Sequence, residues 1–299
     1  MKIPATLMKD YSLFFTGKEN TLTQAERYCQ HLATHHYENF TVVSWFLPKD
    51  KRQDFYNIYS YCRWADDLGD ETGSVQESID LLSWWEDELI SCYAGKPNHP
   101  VFQALYKTIE KYDIPILPFK NLIKAFLQDQ TVNRYKTMDE LKDYCCNSAN
   151  PVGHLVLYLC GYRDEKRQLL SDKTCTALQL ANFWQDITVD LMKGRIYLPL
   201  DDIKMFGYSE EMLKNKIFNS QFKNLMEYEV NLTRQMFYDG QELFELIEKP
   251  LRLDIELFNQ GGLCILDAIE KNNYDVLCRR PSLTKATKLR LMFQRIIGL

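Results

Sequence analysis

Two short acidic runs carry the residues best suited to chemistry. The first reads Tyr59-x-x-x-Arg63-x-x-Asp66-Asp67-x-x-Asp70-Glu71. Its spacing puts Tyr59, Arg63, Asp66 and Asp70 on one face of a helix. Asp66 and Asp70 then lie roughly 6 Å apart along the axis, which suits two carboxylates ligating one hard cation. Without a cation the pair is mildly repulsive, and the plain alternative is a solvated acidic helix end.

The second run, Asn182-Phe-Trp-Gln-Asp186-Ile-Thr-Val-Asp190, steps Asn182, Asp186 and Asp190 along one face. The apolar stretch from Ala177 to Trp184 predicts a substantially buried helix, and carboxylates there need a cation or hydrogen-bond donors. Magnesium fits, being held typically by one or two carboxylates plus substrate phosphates. Lys193-Gly194-Arg195-Ile196-Tyr197-Leu198-Pro199 follows. Gly194 predicts a helix stop, leaving Arg195 and Tyr197 beside the acidic pair, where a guanidinium can fork onto a phosphate. Arg195 paired to an aspartate and Tyr197 as core are the alternatives. Two acidic pairs, each near an arginine and with no general-base histidine between them, point to ionisation of a diphosphate ester. The metal neutralises the leaving group, and aromatic walls tolerate the carbocation. On the residues alone, a structural helical protein competes with this reading.

The elements that must position these residues are helical. Periodicity predicts helices at 24–36 (capped by Thr23), 50–68, 75–94, 100–111, 116–132, 138–147, 151–160, 164–190, 209–217, 219–248, 251–271 and 283–297. In the second of these, Phe55, Ile58, Tyr59 and Cys62 share a face. No alternating stretch requires a sheet, and no Gly/Ser-rich linker or repeat divides the 299 residues, so one all-α domain spanning 1–299 is expected.

The net charge of -5 disfavours nucleic acid as a partner. The run from Arg279 to Arg295, with Arg280, Lys285, Lys288 and Arg290, reads as a solvated helix face or a contact for anionic lipid headgroups. Nine cysteines, odd in number and without C-x-x-C spacing, read as reduced small hydrophobes of a cytoplasmic protein. Neither a signal peptide nor a spanning helix is expected.

LPKDKRQDFYNIYSYCRWADDLGDE and LQLANFWQDITVDLMKGRIYLP resemble the two aspartate-rich signatures of the squalene/phytoene synthase family. The likeness extends over nearly the whole chain. It implies a single-domain isoprenoid synthase fold with a central cavity between helices. It also implies magnesium held by Asp66, Asp70, Asp186 and Asp190 on a prenyl diphosphate, with Arg52, Arg63 and Arg195 at basic positions associated with the diphosphate. Asp129 matches an acidic cavity position, and Tyr59 and Tyr197 are expected as further cavity residues.

The segments ENFTVVSWFLP, NSANPVGHLVLYLCGY and FNQGGLCILDAIEKNNYDVLCRRPSLTK are most similar to the family's bacterial hydroxysqualene-forming branch. That likeness implies hydration of presqualene diphosphate to hydroxysqualene and diphosphate in the squalene/hopanoid route. The functional neighbours would be a presqualene diphosphate synthase and a flavin-dependent hydroxysqualene reductase. Condensation of two prenyl diphosphates to presqualene diphosphate, squalene or phytoene is the nearest alternative, and a non-catalytic assembly partner is another.

Two departures from the wider family stand out. Tyr37-Glu38-Asn39-Phe40 replaces an S-x-S-F segment, and Tyr144-Cys145-Cys146-Asn147-Ser148-Ala149-Asn150 replaces the first part of an aromatic-rich motif. Asn147 and Asn150 are expected either to position water near a cation or, for Asn150, to cap the helix opened by Pro151. No G-x-G-x-x-G is present, and neither nicotinamide nor flavin is expected as a cofactor. A lipophilic product suggests peripheral membrane contact.

Overall fold

The computed structural model describes residues 3–15, 21–35 and 49–282. The Tyr37–Phe40 segment and the helix expected at 283–297 lie outside these residues. In chain order the helices are α1 (Ala5–Phe14), α2 (Leu22–His35), α3 (Arg52–Asp70), α4 (Val75–Tyr93), α5 (Pro100–Tyr112), α6 (Leu117–Gln128) and α7 (Met138–Ser148). They continue with α8 (Asn150–Leu159), α9 (Glu165–Met192), α10 (Leu200–Met205), α11 (Glu210–Lys214), α12 (Ser220–Gly240) and α13 (Lys249–Lys271). Among the described residues the sole β pairing is an isolated bridge between Arg134 and Ile196. The all-α class is as expected.

Local chemistry sets most helix starts. Side-chain oxygens of Ser74, Thr137, Asp164, Ser209 and Asn219 each accept from a first-turn N–H. At α2 the cap is Thr21 rather than the expected Thr23. Thr21 and Gln24 bond reciprocally, each side chain accepting from the other's backbone N–H, which starts the helix two residues earlier. The expected 219–248 helix breaks at Gly240 into a 3-10 turn, Gln241–Leu246, before α13 begins. α1 and α10 are absent from the sequence-based expectation. α1 is short, and its place comes from packing, with Leu7 buried and Tyr11 set edge-on to Tyr28 and Trp64.

The chain packs as two compact units, Met1–Thr131 with Pro151–Arg163, and Val132–Asn150 with Asp164–Leu299. In the first, α3 lies among α2, α4, α5 and α6. Trp64 stacks on Trp85 at 5.2 Å and donates to the Tyr28 hydroxyl at 2.9 Å. Tyr61 donates to the Phe119 carbonyl. A buried polar cluster lies among these helices: Asn57 donates to Ala104 O and Thr108 Oγ1, and Asp54 accepts from Thr108, Lys111 and Tyr112. α8 returns to this unit, where Leu155 and Leu159 are fully buried and the Leu159 carbonyl accepts from Lys51. Arg163 donates to the carbonyls of Tyr112 and Asp113.

In the second unit α9 is the axis, with α12 along it and α7 and α13 beside it. Trp184 donates to Thr233 at 2.8 Å, and Arg234 bridges from α12 to Asp267 and Glu270 on α13. A Cβ on Gly240 would come 2.4 Å from Thr174 Oγ1, so α12 meets α9 at glycine distance.

Two buried titratable groups set opposite pH limits. His99, ringed by Trp64, Trp85 and Phe102, accepts from Val101 N–H, and burial holds its pKa down to about 3. The unfolded chain then binds the extra proton, so stability falls as pH drops from 6.5 toward 3, on the order of 4 kcal/mol over that window. His99→Ser retains a cap acceptor and is expected to flatten this slope in urea titrations run at each pH. Glu229 is fully buried on α12, and burial, with Asp202 second, raises its pKa to about 9. Here the folded chain keeps the proton. Its contribution is full below pH 4.5 and is lost as pH rises through 9. Glu229→Gln should remove the alkaline loss, raising Tm at pH 9 relative to the parent chain.

Candidate active site

The first acidic pair stands on the last two turns of α3. Tyr59 is buried with Phe55 and Ile58, as their shared face predicts, while Cys62 is half-buried. Asp66 and Asp70 occupy the outer flank, Asp66 with 48% of its side chain exposed. Arg63 does not divide itself evenly between acids. Its Nε donates to Asp67 at 3.1 Å and a second nitrogen grips the same carboxylate, while Asp66 lies 3.6 Å from Nη1. Burial opposes the charge on Arg63, but Asp67 and Asp66 outweigh it and hold the guanidinium above its ordinary pKa. Asp67, not among the expected site residues, is the acid that fixes Arg63. Its i+4 placement was the available signal. The carbonyl of Gly69 accepts from Ser78 and Gln130, pinning the turn that carries Asp70. Arg52 opens α3 half-buried, and Asp129 is the half-buried C-cap of α6.

The second pair ends α9. Gly194 adopts φ +74°, with Gly194 N–H donating to Leu191 O and Arg195 N–H to Asp190 O at 2.9 Å. This is the expected glycine stop, satisfying terminal carbonyls and turning Arg195 back toward the helix end. Ile196 N–H donates to Asn133 O, and Arg134 donates to Gly194 O, so the segment after the stop is tied to residues 133–134. Tyr197 stacks on Phe183 at 3.7 Å and 9°, with Tyr144 and Tyr135 against it. Asp190, Arg195, Tyr197, Phe183 and Ile187 line one crevice. Tyr197 is therefore both packed and part of the wall beside Asp190. Asn182 is exposed.

Asp186, four residues before Asp190, receives an arginine that sequence reading placed only within a basic run. Arg280, just beyond α13, donates through Nε and, at 3.0 Å, through Nη2 to the two carboxylate oxygens. The partners are 94 residues apart, and no local spacing announces them.

Asn147 and Asn150 have other partners. Asn147 donates to Asp143 O on its own helix. Asn150 is buried at the start of α8, accepting from Thr176 of α9 at 2.9 Å and approaching Cys146 Sγ of α7 at 3.7 Å. It makes neither the expected cap nor an open polar surface, but a tie between helices. Asn150→Ala should cost about 1–2 kcal/mol by leaving Thr176 unpaired, seen as a lower urea midpoint, with the kcat of the folded fraction retained. A large fall in kcat at unchanged stability would contradict this.

The donor set fits magnesium. Each helix offers paired aspartate oxygens, and among the described residues no group of three or more His, Cys, Asp or Glu converges. A cation taken by such a pair must complete its shell with water and substrate oxygens, which is magnesium's habit. Asp186 already engages a cationic group with both oxygens.

Comparison with known proteins agrees with the fold. A crystal structure of squalene synthase HpnC from Alicyclobacillus acidocaldarius superposes with TM-score 0.82 at 40% identity, covering 85% of this chain and 95% of that one. A ligand-bound dehydrosqualene synthase superposes with TM-score 0.84 at 26% identity over 93% of this chain and 97% of that one. These neighbours define the class, an isoprenoid synthase fold. The squalene/phytoene synthase family model matches residues 33–287. Phytoene synthase of Arthrospira platensis is 31% identical over 297 residues, 94% of this chain and 90% of that protein. The chain belongs to the squalene/phytoene synthase family, whose members process prenyl diphosphates. No described helix is long and apolar enough to cross a membrane.

Proposed function

We propose that this chain is a magnesium-dependent enzyme that converts presqualene diphosphate and water to hydroxysqualene and diphosphate. The observation that carries the reading is its 40% identity to a squalene synthase, against 31% to a phytoene synthase. In this reading Asp66, Asp70, Asp186 and Asp190 hold magnesium, and Arg52, Arg63 and Arg195 bind the diphosphate. Magnesium supplies charge neutralisation for the departing diphosphate. Tyr197 and Phe183 present aromatic faces beside Asp190 that tolerate positive charge. Arg63, fixed by Asp67, keeps its charge and position without reorganising. The place of action proposed is the cytoplasm, at the inner face of the membrane where a lipophilic product can leave.

The curated phytoene synthase relatives favour a second reading, condensation of two prenyl diphosphates. Purified protein with magnesium, incubated separately with presqualene, farnesyl and geranylgeranyl diphosphates, separates the two by mass spectrometry of the products. Hydroxysqualene from presqualene diphosphate alone supports the proposal. Presqualene diphosphate, squalene or phytoene from the shorter substrates overturns it in favour of condensation. No turnover of any substrate favours a non-catalytic relative.

A further inference from the structure

The segment after α13 is docked on α9 by its backbone, and Arg280 reaches Asp186 of the second acidic pair. Asp275 Oδ1 accepts from the N–H groups of Leu277 and Cys278, closing a turn at the end of α13. Pro281 is buried, and its carbonyl accepts at 2.7 Å from Gln185, itself 3% exposed. Gln185 directly precedes Asp186 in α9. The strap therefore holds its place without Arg280. The Arg280 side chain, 41% exposed, crosses to Asp186 and forks onto both oxygens.

A half-exposed ion pair of this kind adds little to stability, so fold maintenance is a poor account of it. Its position is more informative. Asp186 and Asp190 lie one turn apart, and the guanidinium lies on the carboxylate that a cation binding this pair must use. A guanidinium forked onto both oxygens takes up charge and lone pairs that a divalent ion would use, and an arginine side chain 41% exposed has room to move off into solvent.

We propose that Arg280 is a built-in competitor for metal at Asp186: it neutralises the carboxylate in the metal-free chain, and a divalent cation engages Asp186 by displacing it. The inference rests on the reading of Asp186 as a metal ligand, and it assigns Arg280 a role in setting metal affinity. Bare metal then binds weakly, and the acidic pair is spared its self-repulsion while it waits for substrate.

The test is manganese binding to the full-length protein without substrate, followed by loss of the free-ion electron paramagnetic resonance signal. Parent, Arg280→Gln, Arg280→Lys and Asp186→Asn proteins are compared, with thermal unfolding confirming that each is folded. Arg280→Gln is expected to tighten manganese binding at least five-fold. Arg280→Lys, which keeps charge but loses the fork, should fall between it and the parent. Asp186→Asn should weaken binding. Unchanged or weaker binding in Arg280→Gln alongside weaker binding in Asp186→Asn would overturn the competitor role and leave the metal-ligand reading standing. Unchanged binding in Asp186→Asn would overturn both.

Discussion

Asp190→Asn should lower kcat by about 10³-fold with magnesium saturating, a loss on the order of 4 kcal/mol of transition-state stabilisation. The substitution keeps shape and removes one negative charge from the pair that ends α9. The helix-stop bonds at this position use the Asp190 carbonyl, which asparagine retains, and the side chain is only half-buried beside the crevice. The expected result is a cooperative unfolding transition near that of the parent, with turnover nearly gone in a product assay on the preferred diphosphate. Turnover within ten-fold of the parent would remove Asp190 from the metal-binding set.

Gly262→Ala should be the most damaging single-methyl change in the second unit, costing about 3 kcal/mol or more. A Cβ at this position would come within 2.1 Å of Phe237 Cζ and 2.7 Å of Cε1. Neither partner can yield easily: Phe237 is fully buried on α12, and its backbone carbonyl is held by Asn259 of α13. The measurement is the urea midpoint of the variant. Shrinking the ring offers a control, since Phe237→Leu combined with Gly262→Ala should cost less than the sum of the two single changes. Additive losses would mean that the methyl is accommodated by other means.

What could be read from the residues follows from the range over which each signal acts. Helix class, the course of α3 and α9, and the Gly194 stop are local properties of period and turn chemistry, and they appear where expected. Tyr59 follows the same rule, buried beside Phe55 and Ile58 on the face that their spacing gives. Partners set by tertiary packing lie beyond such reading. Asn150 looked like a cap because Pro151 follows it, but Thr176, far along the chain, claims its oxygen. Arg280 is the extreme case. Its partner is set by where the strap after α13 docks, a tertiary fact with no periodic trace.

The order in which segments join their units has a consequence for how the protein can be made and cut. α7 belongs with later helices, whereas α8, threaded after it, belongs with the earlier ones. On a ribosome, the first unit stays incomplete until residues 151–163 have emerged, because Lys51 has no Leu159 carbonyl to bind and the site for Leu155 is empty. α7 must meanwhile wait, unpartnered, for α9. Neither half is therefore a contiguous fragment. Cleaving the gene between 131 and 132 yields an amino-terminal piece that lacks one of its own helices and a carboxy-terminal piece that carries it, so co-expressed halves complete the first unit only when the second piece donates that segment.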